Sequence, residues 1–75
     1  MPRLPRVSAD RAIRALERLG FEQIRQQGSH VILKKMTAEG PVGCVVPRHK
    51  ELVVGTLKSI LKQARVESEE FIRSL

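Results

Sequence analysis

The chain has no tryptophan, no tyrosine and only two phenylalanines, Phe21 and Phe71. A single-strand nucleic-acid binder that stacks bases on aromatic platforms needs several exposed rings, and this composition has none to spare. Cysteine occurs once, at Cys44 among apolar valines. A disulfide framework is therefore excluded, and a buried, inert thiol is expected. The two histidines and the one cysteine are far apart in sequence and form no zinc-ligand spacing, so neither a metal nor another cofactor is expected. No apolar run approaches the ~20 residues that a membrane span takes. The N-terminal arginines come without the apolar segment of a secretory signal. A cytoplasmic protein with no membrane partner is the expectation. No repeat or low-complexity segment is visible.

What is present is short, aliphatic and basic. Seventy-five residues leave room for one domain, 1–75. A hydrophobic fraction of 41% supports a folded globule whose core must be aliphatic. Fourteen Lys and Arg against eight Asp and Glu give a formal net charge of +6. For so small a domain this points to a polyanionic partner, RNA, DNA or an acidic protein.

Residues 1–7 hold two prolines and two arginines and read as an extended basic arm. Ser8 is a good N-cap and Asp10 suits the first turn of a helix. Ala12, Ile13, Leu16 and Leu19 recur at helical spacing, and Gly20 follows as a C′ residue. The first helix is predicted over 9–19. A short strand is predicted over 21–26 with Phe21 and Ile24 as its apolar members. A turn at Gln27-Gly28-Ser29 leads to a second strand over 30–36. A loop over 37–41 is punctuated by Gly40-Pro41, and a third strand over 43–46 is closed by Pro47. A charged connection containing Arg48, His49 and Lys50 leads to a second helix over 55–65, whose apolar stripe is Leu57, Ile60, Leu61 and Ala64. Ser68 is expected to cap a last short helix with Phe71, Ile72 and Leu75 on its apolar side.

The order is α-β-β-β-α plus a terminal helix. Short connections imply an antiparallel meander, and an α+β domain with helices on one face of the sheet is the expected solution. Strand alternation then sets Val31 and Leu33 against His30, Ile32 and Lys34. If Val31 and Leu33 pack under the helices, His30 and Lys34 share the open face. A bulge at Gly28 would spoil that parity.

Gly28-Ser29-His30 is the most informative stretch. A tight turn delivers one histidine to the start of a strand that ends in Lys34-Lys35. Histidine is the side chain suited to proton transfer near neutral pH. RNA carries its own nucleophile, the 2′-hydroxyl. Cleavage needs that proton removed, the leaving oxygen protonated and the charged phosphorane stabilised, with no metal required. His30 is the candidate acid or base. Lys34, Lys35 and Arg25 are candidates to bind or polarise phosphate, and Ser29 to orient the backbone or donate a hydrogen bond. His49, with Arg48 and Lys50 around it, is a second catalytic partner if its loop folds toward His30, or otherwise a phosphate contact. The ordinary alternatives are a strand-edge histidine, a solvated strand end and a surface histidine. Gly55-Thr56 looks like a helix N-terminus, able to meet a phosphate or simply starting a helix.

Taken as an ordered set, Leu19-Gly20-Phe21, then Arg25-Gln26-Gln27-Gly28-Ser29-His30, then Val46-Pro47-Arg48-His49, then Gly55-Thr56-Leu57 with Ile60-Leu61, resembles the HicA toxin family. The resemblance runs from about Ser8 to the C-terminus. It implies a double-stranded-RNA-binding-domain-like fold. It also implies an mRNA interferase, a ribosome-independent endoribonuclease acting as the toxin of a type II toxin–antitoxin pair. The family's catalytic histidine, that of Gly-Ser-His, falls on His30. The implied protein partner is a HicB-type antitoxin covering the active face. Two other readings fit the charge and element order. One is a non-catalytic double-stranded RNA-binding module. The other is an adaptor whose basic face binds an acidic protein. A helix-turn-helix DNA binder is disfavoured, because three strands separate the long helices.

Overall fold

The computed structural model describes residues 3–75; Met1 and Pro2, the first positions of the expected arm, lie outside the described residues. The elements are α1 (Ala9–Arg18), β1 (Glu22–Gln27), β2 (His30–Thr37), β3 (Gly40–Pro47), α2 (Val54–Ala64) and α3 (Ser68–Arg73).

Local chemistry sets the boundaries of α1. The Ser8 hydroxyl accepts the Arg11 N–H at 3.1 Å and so satisfies one of the orphan donors of the first turn. At the other end Gly20 has φ +102°, a left-handed conformation that lets the chain reverse into β1. Ser68 is not a cap. Glu67 holds that position and Ser68 is the first residue of α3. Likewise α2 starts at Val54, with Gly55 inside its first turn, and Arg65 ends it in the left-handed region at φ 57°.

The strands form an antiparallel sheet in the order β1-β2-β3. Its helix-facing side carries Val31, Leu33, Cys44 and Val46, all buried against Ile13 and Leu16 of α1, Leu57, Ile60 and Leu61 of α2, and Phe71 of α3. One cluster therefore serves every element except β1, whose six residues are all exposed. Burying an aliphatic side chain of this size contributes about 1.5–3 kcal/mol. The α-β-β-β-α order with helices on one face is the double-stranded-RNA-binding-domain layout.

Two further expectations are corrected. β3 begins at Gly40 rather than at Gly43, so Pro41 lies inside a strand. The Val45 N–H points away from β2 and donates to Gln63 Oε1 at 3.2 Å. By alternation Pro41 and Pro47 occupy outward positions too, where a missing N–H costs no ladder bond. Ile24 does not enter the core. The register shifts between Gln23 and Arg25, so Ile24 sits in a bulge without a partner and is 52% exposed. The described part of the arm, residues 3–7, is docked on the domain. Leu4 packs on the core, Val7 belongs to it, and the Leu52 N–H donates to the Val7 carbonyl at 2.8 Å.

Candidate active site

Gly28 and Ser29 form a two-residue turn, with Gln27 paired to His30 across it. Gly28 has φ +61°, the conformation that short hairpin loops demand at their first position and that glycine adopts without strain. Because the loop is two residues long and the bulge lies upstream at Ile24, the parity of β2 is undisturbed. Val31 and Leu33 are buried and His30 is exposed. His30, Ile32, Lys34 and Met36 thus share the open face.

His30 opens the central strand, between Gln27 of β1 and Pro47 of β3. Its pairing with Pro47 is of the non-hydrogen-bonded kind, in which side chains approach most closely. Arg25 lies opposite Ile32 and donates to Gln27 Oε1 at 3.5 Å. Among the described residues no hydrogen bond reaches the His30 imidazole, which leaves both ring nitrogens open to a substrate.

The other candidate residues separate into two groups. Lys34 shares the open face but is four residues along β2, about 13 Å from His30 at the usual rise per residue, and it pairs with Glu22. It borders a shallow groove of about 390 Å³ with Ile24 and Met36. Lys34 can meet a phosphate of a chain lying across the sheet, though not the one at His30. Lys35 faces the opposite way. Its ammonium lies 5.8 Å from the centre of the Phe21 ring, a cation–π distance, and its stem crowds the space that a Cβ at Gly20 would take.

Arg48 is brought to the His30 turn, but from the helix side. Its N–H donates to the Ser29 carbonyl at 2.6 Å. Its guanidinium binds Asp10 of α1 (3.2 Å) and Gln26 Oε1 (2.7 Å). His49 is exposed and tied by its backbone, its carbonyl accepting the Ala9 N–H at 3.0 Å. Lys50 is exposed beside it. Gln27 and Gln26 of β1 also flank the His30 turn. Gln27 follows from counting across a two-residue hairpin. Gln26 has no such signal, because its partner Arg48 lies 22 positions away.

Both phenylalanines are buried, so no ring is offered to a base. Cys44 is buried and its thiol is pushed up to about 11 by desolvation, which keeps it protonated and unreactive at neutral pH. Among the described residues no three His, Cys, Asp or Glu side chains are grouped to hold a metal ion.

The family model described as "HicA toxin of bacterial toxin-antitoxin" matches residues 9–66. The chain belongs to the HicA toxin family. The match runs from the first residue of α1 to just past α2 and contains the whole Gly28-Ser29-His30 turn. Membership assigns this HicA chain the toxin role in a toxin–antitoxin system. A comparison with curated protein sequences finds no match. Among the described residues no helix is long and apolar enough to cross a membrane.

Proposed function

We propose that this HicA toxin is a metal-independent endoribonuclease that cleaves mRNA in the cytoplasm, with His30 as the catalytic group. The observation that carries the reading is an exposed histidine with unoccupied ring nitrogens, opening the central strand of a sheet face that also bears Arg25 and Lys34. In the reaction the imidazole takes the proton of a 2′-hydroxyl. The freed oxygen attacks the adjacent phosphorus and the bond to the 5′-oxygen breaks. That oxygen leaves with a proton from His49 or water, since Lys34 lies four residues along β2 and Lys35 faces the other way. The products are a 2′,3′-cyclic phosphate and a 5′-hydroxyl end. A positioned histidine supplies about 10²–10⁴-fold of rate.

His30→Ala is expected to abolish cleavage of an RNA oligonucleotide in EDTA and to relieve toxicity on expression. Circular dichroism should be unchanged, since the side chain is exposed. Wild-type cleavage by that variant would overturn the reading.

The double-stranded-RNA-binding layout favours a second reading, a binding module without catalysis. It predicts that His30→Ala loses little, while Lys34→Ala weakens RNA binding with a changed salt dependence.

A HicB-type antitoxin is the protein partner in this proposal. Ile24, Met36 and Val45 are 52%, 75% and 40% exposed and give the open face apolar area that a protein would bury. An antitoxin seated there shuts His30 away from RNA.

A further inference from the structure

Among the described residues the His30 imidazole has no hydrogen-bond partner, so its placement is inherited from the turn that precedes it. That turn is a hairpin tip. A Cβ at Gly28 would meet nothing within 4 Å, and Ser29 is exposed. Its two carbonyls are nevertheless both held. The Ser29 carbonyl accepts from the Arg48 backbone at 2.6 Å. The Gly28 carbonyl accepts from Gln26 Nε2 at 3.0 Å. A glutamine amide can present either end to that carbonyl, and only the nitrogen end donates. Here the oxygen end is occupied by the Arg48 guanidinium at 2.7 Å, which fixes the amide with its donor toward Gly28. Asp10 in turn holds Arg48 Nε at 3.2 Å.

We propose that Arg48 is a positioning residue: acting through Gln26, with Asp10 orienting its guanidinium, it fixes the Gly28–Ser29 turn and thereby aims His30 at the scissile phosphate. The inference rests on the reading of His30 as the catalytic group. Arg48 does this from the helix side of the sheet, since Gln26 pairs with the core-facing Val31 and Asp10 lies on α1. Its role is geometric rather than stabilising. The Arg48–Asp10 pair is solvent-exposed, and such pairs contribute little to folding. A small misplacement of a reacting group, by contrast, can cost about 10²-fold in rate.

The test uses the full chain, an RNA oligonucleotide substrate and the variants Arg48→Ala, Gln26→Leu, their double combination, Gln26→Glu and His30→Ala. Arg48→Ala and Gln26→Leu are each expected to lower kcat by about 10- to 100-fold with KM within about twofold. The double variant should be no slower than the slower single, because both cut one linkage. Gln26→Glu should not rescue. Its carboxylate keeps the bond to Arg48 but cannot donate to the Gly28 carbonyl. Amide exchange at residue 48, read by NMR, should accelerate in the Arg48 and Gln26 variants. A raised KM with unchanged kcat in Arg48→Ala, together with wild-type behaviour of Gln26→Leu, would mean that Arg48 contacts RNA and would overturn the proposal. If His30→Ala cleaves normally, the catalytic reading fails and this inference with it. If His30→Ala is inactive and Gln26→Leu is not impaired, the inference alone fails.

Discussion

The backbone N–H of Arg48 donates to the carbonyl of Ser29 at 2.6 Å. The register of β2 on β3 pairs His30 with Pro47 and Val31 with Val46, so this bond is one further rung of the same ladder, carried past the strand into the turn. A loop that leaves β3 is thereby joined to the loop that precedes β2, and the joint lies one residue from His30. The Arg48 amide is expected to exchange slowly for a loop position, and to stay slow in His30→Ala, because the His30 side chain is not among the groups that hold the turn. Fast exchange in the wild-type protein would show that this rung does not hold in solution.

Gly28 and Gly55 both have open space where a Cβ would go, yet substitution should act in opposite directions. Gly28 sits at φ +61°, where an alanine is strained by about 1–2 kcal/mol. Gly55 lies in the first turn of α2 without a positive φ, so alanine there should stabilise by about 0.5–1 kcal/mol. Thermal melts separate the two by direction. Each kcal/mol corresponds to roughly 4–8 °C for a domain of this size.

Lys34 and Lys35 are adjacent in sequence and point to opposite faces. Lys34→Ala is expected to weaken RNA binding and to reduce the slope of log K against log salt by about 0.7–1. Lys35→Ala should leave that slope unchanged and instead cost about 0.5–1 kcal/mol of stability, through the lost contact with Phe21. Equal salt slopes for the two variants would count against RNA lying on the open face.

Burial raises the Cys44 thiol from the ordinary 9.0 to about 11. The folded protein therefore holds this proton more tightly than the unfolded chain does. Its contribution to stability is complete below about pH 9 and is lost as pH rises toward 11. Urea midpoints should fall across that window, and less steeply in Cys44→Ala, whose cavity lowers the whole curve without adding slope. In the native wild-type protein the thiol should resist alkylation at neutral pH and react after denaturation.

Much of this architecture is legible in local chemistry. The Ser8 cap, the left-handed Gly20 and the alternation of Val31 and Leu33 with His30 each depend on neighbours a few positions away, and each was readable. What was not readable depends on partners distant in sequence. Pro41 looks like loop punctuation until β3 is known to be an edge whose outward positions need no donor. Ile24 looks like a core residue until the bulge removes its partner. Arg48 looks like one more cation in a basic loop. Only the folded chain brings it against Asp10 and Gln26, 38 and 22 positions away. Lys35 could have been separated from Lys34 by the alternation already applied to His30.

The two edges of the sheet are unequal. On β3 two prolines and the Gln63 side chain have removed or occupied the outward N–H groups at three positions, so that edge resists templating another strand. β1 carries no such guard apart from its bulge. Any chain that extends this sheet by pairing must therefore add along the strand that holds Gln26 and Gln27. Strand addition and the aim of His30 thus share one strand, and self-association through that edge would be visible first as a change at the histidine.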